Sequence, residues 1–202
     1  MFNTAASRGL CNDNPAEITL RRKQKKKRQR LTLEQFREMH ANSPTWLQNA
    51  MEIALITLQR RQDIVSMKFS DIKEGRVVIT EGKTGKLASI ILNVKALEIV
   101  ERIRSDNPDH QYLFQSTGRN VKTVKPITRQ AVGQAFKAIG EIIGVHLSTH
   151  SMRKTRGYHL YQASNDITKV MKMLRHSSQA ETLRYIGITQ ENIDQDFMEL
   201  VL

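Results

Sequence analysis

Residues 148–185 read STHSMRKTRGYHLYQASNDITKVMKMLRHSSQAETLRY. His150 and Arg153 lie three apart, so on a helix they share a face. Arg153 offers a planar fork of donors that fits phosphate oxygens. His150 exchanges a proton near neutral pH. His176 is followed nine positions later by Tyr185, and a phenol held beside such a site is a candidate nucleophile. The surrounding residues supply the frame. Ile167, Val170, Met171 and Leu174 recur at helical spacing, and Ser178-Gln-Ala-Glu181 opens a last capped helix that carries Tyr185.

Working outward from this stretch, Thr128 caps a long helix with Val132, Ala135, Phe136, Ile139 and Ile143 on one face. Residues 116–126 form a polar, basic loop, and Tyr112-Leu-Phe114 is a short buried segment. Asn93 caps a helix with Ala96, Leu97, Val100 and Ile103 inward. Before it, Arg76–Thr80 and Ala88–Leu92 are rich in β-branched residues and read as strands. The turn Glu81-Gly-Lys83-Thr-Gly85-Lys86 joins them into a hairpin, with Ile72–Glu74 alongside. Thr57–Met67 holds a helix end and a short helix. A helix after Ser43-Pro44 buries Trp46, Leu47, Ala50, Met51, Ala54, Leu55 and Leu58. Thr32-Leu-Glu-Gln35 is a capping box that opens a helix with Leu33, Phe36 and His40 inward. The class is α+β, mainly helical, with a small antiparallel sheet.

The 202 residues carry a formal net charge of +12, which points to a polyanionic partner, foremost nucleic acid. Hydrophobic residues make up 39%, enough for a real core. Cys11 is the only cysteine, so no internal disulfide and no cysteine metal site can form. That suits a reducing cytosol. No apolar run approaches a membrane span, and the N-terminus lacks a signal-peptide core. Within residues 21–30, Arg21, Arg22, Lys23, Lys25, Lys26, Lys27, Arg28 and Arg30 repel one another and stay extended unless neutralised. This stretch reads as a linker that also lies along DNA phosphates.

Breaking a DNA phosphodiester without metal needs fixed positive charge on the equatorial oxygens, a proton acceptor for the attacking group and an acid for the leaving 5′-oxygen. The sequence holds, in order, Thr57-Leu-Gln-Arg60-Arg-Gln-Asp63-Ile64 at a helix end, Lys83-Thr84-Gly85 in the hairpin turn, His150-Ser-Met-Arg153, His176 and Tyr185. Each part alone is weak; the order is specific. In that order the chain resembles the tyrosine recombinase (phage integrase) family, as the catalytic domain of a lambda-type integrase, over roughly residues 31–190. The resemblance implies that Arg60, Lys83, His150, Arg153, His176 and Tyr185 are catalytic. Asp63 would support Arg60, and Lys83 would protonate the leaving oxygen. Arg61 is a second cation beside Arg60, so the two assignments can be swapped. Leu58 and Arg175 stand where the family usually has glycine.

The resemblance further implies site-specific integration or excision of a mobile element through a 3′-phosphotyrosine intermediate, with no cofactor and no metal. Its partners would be double-stranded DNA, three further copies in a homotetramer on DNA, and accessory DNA-bending or directionality proteins, in a bacterial host cytoplasm. The expected division is residues 1–30 as basic linker and remnant of a core-binding domain, 31–190 as catalytic domain, and 191–202 as a tail docking in cis or in trans. A chain of this length is expected to be a fragment or a truncated copy. Two other readings fit the same residues: a type IB topoisomerase, against which the short chain argues, and a DNA-binding remnant that no longer cuts.

Overall fold

The computed structural model describes residues 30–80, 82, 85, 87–119, 121–147, 149–188, 194, 198 and 199. Helix α1 (Leu33–Ala41) starts at the expected box: the Thr32 hydroxyl accepts the Gln35 N–H, and the Gln35 side chain accepts the Thr32 N–H. It buries Met39. Leu33 was expected inward but stays exposed, at the rim of a groove shared with Phe36, Leu55, Met152 and His159.

Helix α2 (Thr45–Thr57) is the central post. It buries Leu47, Ala50, Met51 and Ile53 together with Asn49 and Thr57, on more than one face, because other helices surround it. The Asn49 amide oxygen accepts a bond from Arg102 at 2.6 Å, so this buried polar group is satisfied. The helix stops at Leu58, whose backbone is left-handed (φ 55°, ψ 23°). Helix α3 (Arg61–Val65) follows, then a 3-10 turn (Phe69–Asp71).

Strands β1 (Ile72–Lys73), β2 (Arg76–Thr80) and β3 (Leu87–Ile91) form an antiparallel sheet in that order. β1 is one residue shorter than expected, because Glu74 and Gly75 take positive φ and turn the chain. Alternation works as the pleat requires. Val77, Ile79 and Ala88 enter the core, while Val78, Leu87 and Ile91 face outward. Helix α4 (Val94–Asp106), capped by Asn93, covers the inner face with Ala96, Ile99, Val100 and Ile103.

Helix α5 (Arg129–Ile142) is capped by Thr128. Gly140 is demanded near its end, since a Cβ there would lie 2.5 Å from the Val145 carbonyl oxygen. Helix α6 (Thr149–Ser164), helix α7 (Ile167–Leu174) and helix α8 (Gln179–Ile186) complete the described fold. Asp166 and Ser178 cap the last two with their side chains. Three apolar clusters result. One lies under the sheet, one joins α1, α2, α5 and α6, and a small third gathers Leu58, Val170, Leu174 and Ile186. Each aliphatic side chain fully buried there contributes about 1.5–3 kcal/mol. Among the described residues no helix is long and apolar enough to cross a membrane.

Candidate active site

The third cluster is the floor of the site. Val170 and Leu174 from α7 pack with Ile186 from α8 and with Leu58, and Tyr158 and Tyr185 lie against them. Gly157 lets α6 come close, for a Cβ there would meet Leu174 and Ile186 at 3.2 Å. On this floor stand the residues that the sequence singled out.

Arg153 projects from α6 and is only 6% exposed. Its Nη2 donates to the Leu174 carbonyl at the end of α7. The Leu174 carbonyl is one of the last in that helix, where a cation is favoured by the exposed carbonyl dipoles. The same guanidinium carbon lies 5.7 Å from the ring centre of Tyr185. His150 sits one turn earlier on α6, half-buried.

His176 and Tyr185 meet edge to face, their ring centres 4.9 Å apart and their planes at 76°. Thr182 orients the histidine. Its hydroxyl gives its one hydrogen to the Ser178 carbonyl at 3.0 Å, so it can only accept from His176 Nδ1 at 3.2 Å. Nδ1 therefore carries a proton, and Nε2 is the nitrogen left for chemistry. The Tyr185 hydroxyl oxygen has less than 1 Å² of accessible surface.

Arg60 takes extended backbone (φ −71°, ψ 148°) as the N-cap of α3, two residues after Leu58 is fixed in the cluster. Arg61 points elsewhere. Its Nη1 lies 3.3 Å from where a Cβ of Gly133 would be, on α5. Burial, and then the neighbouring Arg129, lower its pKa from the usual arginine value. A guanidinium stays charged at neutral pH even so. Both glycine replacements fall on left-handed backbone: Leu58 has φ 55° and Arg175 has φ 51°.

The structure thus gathers Arg153, His176 and Tyr185, with His150 on the Arg153 helix and Arg60 beside the common floor. Lys83 lies outside the described residues. Its neighbour Gly82 is described, and its N–H donates to Asp63 Oδ1 at 3.1 Å. Among the described residues the ion pairs include none between Asp63 and Arg60. Of the basic run, Arg21, Arg22, Lys23, Lys25, Lys26, Lys27 and Arg28 lie outside the described residues. Arg30 stacks 3.8 Å above the Tyr158 ring centre and donates to the Ile186 carbonyl at 3.4 Å, which places a linker residue on the end of α8. Thr182 was missed in the sequence. Its signal was there: it lies one turn after the cap Ser178, on the helix that carries Tyr185.

A family model described as the phage integrase family matches residues 29–192. The probable integrase/recombinase YoeC of Bacillus subtilis (strain 168) is 33% identical over 134 residues, covering 65% of this chain and 72% of that protein. The integrase of Escherichia phage lambda is 35% identical over 103 residues, covering 48% of this chain but 29% of that protein. Among solved structures, a lambda integrase dimer bound to a COC′ core site superposes with a TM-score of 0.66 at 26% identity, covering 93% of this chain and 57% of that one. The lambda integrase catalytic core gives a TM-score of 0.59 at 25% identity, with 73% and 91% covered. The chain therefore spans little more than half of that longer lambda integrase structure and most of the catalytic core. The matched span takes in every described residue that the site gathers, from Arg60 to Tyr185, and the chain belongs to the phage integrase family.

Proposed function

We propose that this chain cleaves and rejoins DNA strands as the catalytic part of a site-specific recombinase. The observation that carries the reading is the meeting of Tyr185, His176 and Arg153 on one apolar floor, with 4.9 Å between the two rings and 5.7 Å from guanidinium to phenol ring. Tyr185 Oη attacks the phosphorus, forming the Oη–P bond as the P–O5′ bond breaks. The phenol proton passes to a histidine, for which His150 is placed on the Arg153 face. Arg60 and Arg153 hold charge against the equatorial oxygens without changing protonation. Lys83 gives a proton to the leaving 5′-oxygen. The reverse attack by a 5′-hydroxyl releases Tyr185 and reseals the strand, so the phosphoester energy is kept and no nucleotide cofactor is needed.

Relatives supply the assembly. A lambda integrase structure at 26% identity is titled as a tetramer bound to a Holliday junction. Four copies of this protein on two duplexes would exchange strands in the same manner. The segment after Tyr185 carries Glu191, Asp194, Asp196 and Glu199 and ends Phe197-Met-Glu-Leu-Val-Leu202; its apolar residues would dock on a neighbouring copy. Residues 21–30 would strap the domain to the duplex. The products would be integration or excision of a mobile element in a bacterial cytoplasm.

The test is a nicked suicide duplex, from which the cut strand diffuses away. Wild-type protein should accumulate as a covalent protein–DNA band on a denaturing gel. Tyr185→Phe removes one oxygen and little packing, so the band should vanish while binding changes by less than about threefold, or 0.7 kcal/mol. Binding without any wild-type adduct would instead make the chain a DNA-binding remnant. An adduct retained by Tyr185→Phe would assign the nucleophile to another residue.

A further inference from the structure

Asp63 is 3% exposed, and its carboxylate has one hydrogen-bond partner among the described residues, the Gly82 N–H at 3.1 Å. Its second oxygen, Oδ2, is enclosed with no partner at all. A buried carboxylate costs several kcal/mol of lost hydration unless it is well paired, and one neutral N–H repays little of that. Such a group is a poor choice for stability alone. Its position suggests another use. Asp63 lies on α3, one turn beyond the N-cap Arg60, and Gly82 immediately precedes Lys83 in the turn between β2 and β3. The Asp63 side chain therefore joins the element that presents the arginine to the element that presents the lysine.

The same contact shapes Gly82. A Cβ there would meet Gln62 Cγ at 3.6 Å and Asp63 Oδ1 at 3.8 Å, so the turn is seated directly on α3. No other described hydrogen bond ties the residues between β2 and β3 to the helices. With a single tether, the reach of a flexible lysine side chain depends on that tether.

We infer that Asp63 is a positioning residue for the leaving-group acid: through the Gly82 N–H it sets the β2–β3 turn so that the Lys83 ammonium meets the departing 5′-oxygen. This rests on the reading of Lys83 given above. It differs from support of Arg60, and the two roles separate by substrate. A 5′-bridging phosphorothiolate leaves as a thiolate, which needs no proton. A defect that acts through Lys83 disappears on that substrate, whereas one that acts through Arg60 persists, because the equatorial oxygens are unchanged.

The experiment compares single-turnover cleavage of ordinary and 5′-phosphorothiolate suicide duplexes by wild type, Lys83→Ala, Asp63→Leu and Asp63→Asn. Leu keeps the shape of Asp63 and removes the acceptor. It should slow ordinary cleavage by roughly a hundredfold or more, the range for a lost general acid, and come within about tenfold of wild type on the phosphorothiolate. Asn still offers an oxygen to Gly82 and should remain within about tenfold on both substrates. If Lys83→Ala is not rescued, the lysine reading falls whatever Asp63 does. If Lys83→Ala is rescued and Asp63→Leu is not, the present inference falls alone. Should Asp63→Leu fail to fold, Asp63→Asn decides: a collapse on both substrates overturns the inference, and a rate retained on both, or a loss confined to the ordinary substrate, upholds it.

Discussion

Arg153 is fixed before any DNA arrives. Its Nη2 bond to the Leu174 carbonyl and its burial leave the guanidinium little freedom, so it meets a phosphate without reorganising. Arg60 is less enclosed and is set by the extended backbone of an N-cap. Arg153→Ala and Arg60→Ala should each slow single-turnover cleavage several hundredfold, as losing one aimed transition-state donor does. They should differ in stability. Arg153→Ala takes the donor from a buried carbonyl and should lower the unfolding free energy by about 1–3 kcal/mol in urea titrations, with Arg60→Ala costing less. A collapse of cleavage in Arg61→Ala with Arg60→Ala unaffected would reverse their assignment. At this scale the sequence was legible where chemistry demands a residue type. Arg153, His176 and Tyr185 could be named because phosphate, proton and nucleophile each call for one. Thr182 could not be singled out in that way, because its role is a proton direction that exists only when Ser178, Thr182 and His176 are brought together.

At the scale of elements, two junctions carry strain. Leu58 ends α2 and Arg175 ends α7, both left-handed, where a side chain costs about 1–2 kcal/mol. These are the two places where the family usually has glycine, so the backbone shape is kept and the residue is changed. The side chains explain the difference in cost. Leu58 is 2% exposed in the apolar floor, while Arg175 is half-buried. Arg175→Gly relieves the strain and loses little packing, so its melting temperature should hold or rise. Leu58→Gly relieves the same strain but empties a buried site, and it should lose about 1–3 kcal/mol net. Calorimetry on the pair checks both; equal losses would mean that the floor does not depend on Leu58. The elements themselves were mostly legible: caps at Thr32, Asn93, Thr128 and Ser178 all open helices. What periodicity misjudged was burial on α1 and α2. Leu33 faces a groove, and Ile53, off the expected stripe, is buried because α2 is enclosed on more than one side.

For the whole molecule, charge sets the relation to DNA. Seven of the basic residues, Arg21, Arg22, Lys23, Lys25, Lys26, Lys27 and Arg28, precede Arg30, which is itself engaged by Tyr158 and the end of α8. Deleting residues 21–29 should weaken DNA binding and reduce the slope of log affinity against log salt by up to about 6, at roughly 0.9 per phosphate contact. An unchanged slope would make the stretch a passive spacer. The charge excess was plain from the sequence. The anchoring of Arg30 on Tyr158 was not, since it depends on the packing of α6 against α8.

The sheet has a consequence for the protein as a colloid. Among the described residues β3 is an edge strand, and Leu87 and Ile91 lie exposed on it beside Val78 of β2. Such an edge is a template for pairing with another copy. In dilute salt the net charge of +12 holds copies apart. At about 1 M salt the screening length falls to roughly 3 Å, and that repulsion is gone. Salt therefore acts on this protein twice: it loosens the hold on DNA, and it lets the bare edges of separate molecules find each other.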